Sequence, residues 1–341
     1  MKIFNKAFLL VLILVAFFQN VEAQEGSDNK LPFVDVLNIT AMADFEYHDY
    51  RDGSDDAYGF NGKYFIFDAG GNITDNLSYF VRHKIRPYRG ISNFFDNTDY
   101  LLVTYKFNDN WSLTLGKNEY LMGSFEFDEN PTDLFFYSHF VSNLNCFNVG
   151  GNITFKDRES KNIFDIQVIN SPYMQTGNGS LLSYNFRWKG NYEHFKTMYS
   201  LNMHEYAKGS YIKYIALGNK LKYDKWQIYV DAISRSTDMS NVFDNISVLS
   251  QLDVSLCDRL SMFVKGGYEK NDTEIIDYTS VAPGSEYVFY GLGAEFYPLR
   301  SSDLRFHAFV AAEDDGSNIA LQYTIGVRCR IDFASHLNKL N

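Results

Sequence analysis

The chain has 341 residues, a formal net charge of -11 and a mean hydropathy of -0.26. Beyond residue 23 no apolar run reaches the roughly 20 residues that a membrane helix requires, which excludes a helical membrane protein. Yet 17% of the residues are aromatic, with 30 Phe and 25 Tyr, an excess over ordinary soluble domains, and Pro is scarce at 6, as strand ladders demand.

Residues 1–23 have the layout of a secretory signal. Lys2 and Lys6 form the positive end, Ala7–Phe18 the apolar run, and Val21-Glu22-Ala23 places small residues for cleavage after Ala23. The run of about 12 residues is short for an uncleaved membrane anchor. A short polar lead, residues 24–34, precedes the first strand.

From there the chain alternates apolar and polar residues, the period of a strand with one greasy and one wet side. Strands are predicted at 35–48, 60–72, 77–88, 98–107, 111–118, 145–156, 162–170, 181–190, 194–206, 211–222, 225–236, 246–257, 259–270, 286–297, 303–313 and 318–333. A soluble sandwich also alternates, but sixteen such strands, this aromatic, read as a transmembrane antiparallel β-barrel over residues 35–333. Connections after even-numbered strands are mostly short, such as Asn108–Asn110 and Tyr223–Asp224. Those after odd-numbered strands are longer and polar, such as Arg89–Asn97, Ser171–Ser180 and Asn271–Ser285. Short inner turns and long outer loops are the asymmetry of outer-membrane barrels.

The longest connection, Glu119–Leu144, is the third outer loop. It carries the acids Glu119, Glu126, Asp128, Glu129 and Asp133, a predicted helix start at Pro131-Thr132-Asp133, and the apolar run Leu134-Phe135-Phe136-Tyr137. An apolar run in an outer loop needs burial, and the barrel interior is nearest, so the loop is expected to fold inward as a constriction. The alternative is a loop that caps the mouth or packs on a neighbouring subunit. The last strand ends in Ile331 and Phe333, the apolar-aromatic ending that barrel assembly machinery reads, followed by a tail at 334–341.

If apolar residues face lipid, Arg82, Lys84, Arg86, Arg187, Lys189, Arg235, Lys265, Arg305, Arg328 and Arg330 face the lumen. By this register the strand faces hold roughly fifteen basic and ten acidic groups, an excess that would favour anions. The plainer reading is that these cations pair with facing Asp and Glu or with the acidic loop. On strand two the register stays open, because Phe65 and Phe67 compete with Tyr64 and Ile66 for the lipid side.

Cys146, Cys257 and Cys329 fall on three separate predicted strands without metal-ligand spacing and read as small fillers of a strand face. The acidic outer loops match no calcium loop. A barrel hydrolase would need a Ser–His pair on the outer wall, and there His83 reads better as an interface histidine than as a base. No cofactor, metal or nucleic-acid partner is expected.

The segments Phe60–Arg86 and Trp111–Asp128 carry a resemblance to the phosphate-selective porin O and P family. Gly70-Gly71, a short turn and a return strand with Tyr79 and Arg82 resemble that family's early hairpin. Leu115-Gly116-Lys117 with Gly123 and Glu126 resembles its approach to the third loop. The resemblance implies a sixteen-stranded outer-membrane channel, typically trimeric, for anions or small hydrophilic solutes. A secreted soluble β-rich binding or adhesion protein, and the barrel hydrolase, are the readings it competes with.

Overall fold

The computed structural model describes residues 33–50, 56–85, 95–174, 181–238, 242–274, 277–299, 303–316 and 318–334. The signal segment and its cleavage after Ala23, most of the lead, Arg86 and most of the tail lie outside the described residues.

Sixteen strands form: β1 (Val36–Tyr50), β2 (Ala57–Thr74), β3 (Leu77–Ile85), β4 (Thr98–Lys106), β5 (Trp111–Glu119), β6 (Phe147–Lys156), β7 (Asn162–Asn170) and β8 (Leu182–Asn191). The second half comprises β9 (Phe195–Ala207), β10 (Ser210–Tyr223), β11 (Trp226–Ser236), β12 (Asn245–Cys257), β13 (Leu260–Asn271), β14 (Ser285–Phe296), β15 (Leu304–Asp314) and β16 (Ile319–Asp332). Each pairs antiparallel with its sequence neighbours, and β1 closes on β16, with Thr40 opposite Arg330 and Glu46 opposite Thr324. Closure leaves no free sheet edge, which is what a sheet in hydrocarbon requires. The two-sheet sandwich is thereby excluded.

The alternation sorts by face as hydrocarbon outside and water inside would dictate. On β16 Tyr323 and Ile325 stand exposed, Ile325 to 67%, while Thr324 and Arg328 are buried. Aromatic pairs band the lower, inner-turn rim, with Tyr105–Phe107 rings at 5.3 Å and Trp111–Phe155 at 4.9 Å. Such a band suits an interface between lipid and water. On β2 the open register resolves with Phe65 exposed outward and Ile66 buried inward.

Three expectations need correction. Glu119 is the last residue of β5 and not part of the loop. Pro131–Asp133 is a turn; the helices of the loop are α1 (Phe125–Asp128) and α2 (His139–Asn143), capped by Ser124 and Ser138. A serine hydroxyl that accepts from the N3 amide starts each of them better than Pro131 can start one before an apolar run that is fixed by packing. Cys146 precedes β6 and packs against the loop's apolar cluster instead of filling a strand face.

Candidate functional site

The connection from β5 to β6 lies against inward-facing side chains of the barrel wall. It begins with a close backbone approach. A side chain at Gly123 would meet the Ala216 carbonyl and the Ser200 amide at 2.6 Å, so only glycine lets the loop touch β9 and β10 here. The Gly123 amide donates to Ser200 Oγ (2.8 Å), and Asn202 donates to the Leu121 carbonyl (2.8 Å).

Next the loop's polar groups meet partners from the wall. Asp231 on β11 accepts from the Ser124 hydroxyl (2.9 Å) and from the amides of Phe125 (3.0 Å) and Glu126 (2.9 Å), which fixes the start of α1. Glu126 accepts from Lys265 Nζ on β13 (2.6 Å) and from the Ser138 hydroxyl (2.6 Å) and amide (2.9 Å). Lys265 also donates to the Phe136 carbonyl (2.7 Å), so one buried pair ties both halves of the loop to the wall. Asp128 pairs with Lys189 (2.9 Å) and Glu129 with Lys220 (2.9 Å). Asp133 pairs with Arg305 (2.7 Å) and with Arg328. The His139 amide donates to Glu269 (2.6 Å), whose other oxygen lies 3.9 Å from the Arg235 guanidinium.

Burial alone would push the Asp128 carboxyl up, but Lys189 and Arg187 outweigh it and hold the group below the ordinary aspartate range. The Asp128 carboxylate therefore stays ionised and paired with Lys189 at neutral pH. His139 goes the other way: burial, and then Arg235, lower its proton affinity and keep the imidazole neutral.

The apolar run packs against residues that face the lumen and yet are apolar. Phe135 stacks on Phe263 with ring centroids 4.7 Å apart and planes at 9°. Around it, Phe136, Phe289, Phe309, Leu249, Tyr229 and Met198 make a buried cluster. The sequence reading missed these wall positions. A signal existed: Met262-Phe263-Val264 and Val288-Phe289-Tyr290 interrupt the alternation with three apolar residues in a row, so one must face inward. Glycines complete the seat. A Cβ at Gly291 would stand 2.8 Å from the Phe136 ring and 2.5 Å from the Val310 carbonyl. Gly291→Leu should overpack the seat by about 1–3 kcal/mol and lower the temperature of heat-modified gel migration. Gly62→Ala, where a Cβ meets nothing within 4 Å, should leave that temperature unchanged and serves as the control.

The ten basic residues singled out from the sequence divide clearly. Arg82 pairs with Asp68 (2.7 Å), Lys84 with Asp99 (2.7 Å) and Arg187 with Asp165 (3.1 Å). Lys189, Lys265, Arg305 and Arg328 hold loop acids, and Arg235 stands beside Glu269. Arg330 is exposed near the inner rim and in no ion pair among the described residues. Arg86 lies outside the described residues. Among the loop acids Glu126, Asp128, Glu129 and Asp133 all meet wall cations, whereas Glu119 accepts from the Tyr100 hydroxyl (2.5 Å). The basic excess of the strand faces thus coincides with the acids the loop brings in.

Two cavities flank the loop. The upper, of ≈ 330 Å³, is bordered by Lys63, Tyr137, His139, Tyr287 and Glu313. The lower, of ≈ 490 Å³, is bordered by Asp68, Arg82, Asp133, Asp253 and Arg328. Phe135 borders both. Above the loop, Tyr173 and Tyr214 donate to the buried Asp277 at 2.6 and 2.8 Å, which packs the mouth on the β9–β13 side. The upper cavity meets the wall at β2, β14, β15 and β16 through Lys63, Tyr287, Glu313 and Gln322, whereas the lower one also extends along β10–β13 past Lys222, Gln227, Asp253 and Ser261. No group of three or more metal-ligating side chains occurs among the described residues. On the outer wall His83 Nδ1 is hydrogen-bonded to Thr98 Oγ1 (3.1 Å).

The profile of the family described as phosphate-selective porin O and P matches residues 37–201. No curated protein matches the chain. Among solved structures, the anion-selective porin from Comamonas acidovorans superposes with a TM-score of 0.67 at 11% identity, covering 86% of this chain and 98% of that one. The outer membrane channel DcaP of Acinetobacter baumannii gives 0.62 at 11% identity, over 90% and 99%. OmpT of Vibrio cholerae in a trimer form gives 0.58 at 11% identity, over 86% and 99%. At these identities the likeness concerns the fold.

Proposed function

We propose that this chain, which over residues 37–201 belongs to the phosphate-selective porin O and P family, is an outer-membrane channel for passive diffusion of small hydrophilic solutes. The observation that carries the reading is a closed barrel, apolar outside, whose interior holds a folded loop between two polar cavities. A wall of ion pairs offers water-like solvation to a passing solute and nothing that reacts with it, so no catalysis is assigned. The loop acids Glu126, Asp128, Glu129 and Asp133 set the width of the passage by fixing the loop, and Glu119 supports its root.

A modest anion preference belongs to the same proposal. It rests on inward, exposed cations near the inner rim, Lys106, Lys156, Lys196, Lys222 and Arg330, and on the anion selectivity of the Comamonas neighbour. The paired cations higher up contribute little, because each is matched by a carboxylate. A homotrimer accords with the trimer form of OmpT. Export by the leader with cleavage after Ala23, and insertion by the barrel assembly machinery through the ending at Phe333, complete the reading; outer-membrane lipids then surround residues 35–333.

Planar-bilayer recording of the purified protein tests it. Discrete conductance steps are expected, with a zero-current potential on the anion side in a potassium chloride gradient. Absence of steps overturns the channel, and a zero or cation-side potential overturns the preference. Deleting residues 123–137 should raise the step size; an unchanged step would remove the loop from the constriction.

A further inference from the structure

One stretch of the inner wall is built differently from the rest. On β2–β6, Tyr64, Phe80, Tyr100 and Phe147 face inward and are partly exposed. Ring centroids of Phe80 and Tyr100 lie 5.7 Å apart, and those of Tyr100 and Phe147 4.9 Å apart. The Arg82 guanidinium sits over Phe80 and Tyr100 at 5.8 and 5.5 Å, and Lys84 Nζ over Tyr64 and Phe147 at 5.6 and 5.9 Å. The strip runs from the level of the lower cavity, which Arg82 and Asp68 border, to the loop, where the Tyr64 and Tyr137 hydroxyls meet at 2.8 Å.

Beside the rings stand fixed donor–acceptor pairs. Arg82 holds Asp68 at 2.7 Å, Tyr100 holds Glu119 at 2.5 Å, and Lys84 holds Asp99 at 2.7 Å. Of these, the partly exposed Arg82–Asp68 pair presents donor and acceptor side by side with its charge compensated, whereas Lys84–Asp99 is buried behind the rings and Glu119 keeps its charge beside the neutral Tyr100 phenol. An inorganic anion gains little there, since each cation already has a carboxylate and aromatic faces are electronegative. A pyranose gains twice: its C–H faces pack on the rings, and its vicinal hydroxyls both donate to a carboxylate and accept from a cation.

We infer that the β2–β6 strip is a saccharide-binding track that guides short oligosaccharides past the constriction. This rests on the channel reading above and assigns the substrate class of that pathway.

The test is current block in bilayers holding many channels of the full-length protein, titrated with maltotriose or cellotriose and, separately, with inorganic phosphate. At least one trisaccharide should reduce the current saturably, and phosphate should not. Tyr100→Leu and Phe147→Leu should weaken the block about tenfold each, the upper range for loss of an aromatic contact. Tyr100→Phe, which keeps the ring and loses the hydroxyl, should retain most of it. A conducting channel whose current follows only the viscosity of the sugar solution overturns the track, as does saturable block by phosphate alone. Loss of block equal in Tyr100→Phe and Tyr100→Leu also overturns it, because the ring would then not be what binds. A protein that conducts nothing overturns the channel reading instead, so the two failures are distinguishable.

Discussion

Lys265→Met is expected to release the third loop from the wall and raise the conductance step severalfold. Lys265 and Glu126 are 2% and 0% exposed and lie 2.6 Å apart, so removal of the ammonium leaves a carboxylate buried with only the Ser138 donors. Breaking one side of a buried pair costs about 3–5 kcal/mol, against about 1 kcal/mol for an ordinary hydrogen bond. The Phe136 carbonyl loses its donor in the same step. Unlike a core residue, Glu126 has an escape: it sits on a loop beside water, so the loop leaves and the carboxylate hydrates. Cleavage of the loop by protease added from outside should therefore appear together with the larger step. The double variant Lys265→Met/Glu126→Gln removes the stranded charge and should restore part of the protease resistance. If Lys265→Met stays resistant with an unaltered step, the pair does not hold the loop.

The barrel was legible in the sequence because period-two alternation is a local property and sixteen strands repeat it. The face of each strand followed from the same rule wherever apolar residues fell strictly on one side, as at Tyr323, Ile325 and Val327. It failed where both sides are apolar. On β2 the choice between Phe65 and Ile66 is made by what lies inside, since Tyr64 meets Tyr137 of the loop. The seat made by Phe263, Phe289 and Phe309 was hard to read for that reason: the apolar triplets around Phe263 and Phe289 break the alternation, but what they answer is a loop more than a hundred residues away in the chain. Charge behaved likewise. Counting by face gave a basic interior, but Asp133 sits between Arg305 and Arg328 only because the loop turns at Pro131–Asp133 instead of starting a helix there. Sequence pattern reads the wall; what fills it depends on contacts between distant segments.

Phe135→Ala is expected to join the two cavities without releasing the loop. Phe135 borders the upper cavity of ≈ 330 Å³ and the lower of ≈ 490 Å³. Its ring is held by Phe263 at 4.7 Å, His307 at 5.1 Å and Phe309 at 5.6 Å, with the Arg305 guanidinium at 5.0 Å on its face. Truncating a buried Phe costs about 3–5 kcal/mol where the site stays dry. Here the gap opens onto polar space, and water entering it offsets part of that loss. The ion pairs of Asp133 and Glu126 on either side remain, so the backbone should keep its course. Conductance should rise and larger neutral solutes should pass, while protease resistance stays that of the parent protein. Phe135→Leu, which still fills most of the gap, should lie close to the parent. The contrast with Lys265→Met is the decisive part. Both changes should widen the pore, but only the loss of Lys265 should expose the loop, because one residue anchors the loop and the other occupies the opening it leaves. Equal protease sensitivity in the two variants would mean that Phe135 is an anchor as well and that the cavities are joined elsewhere.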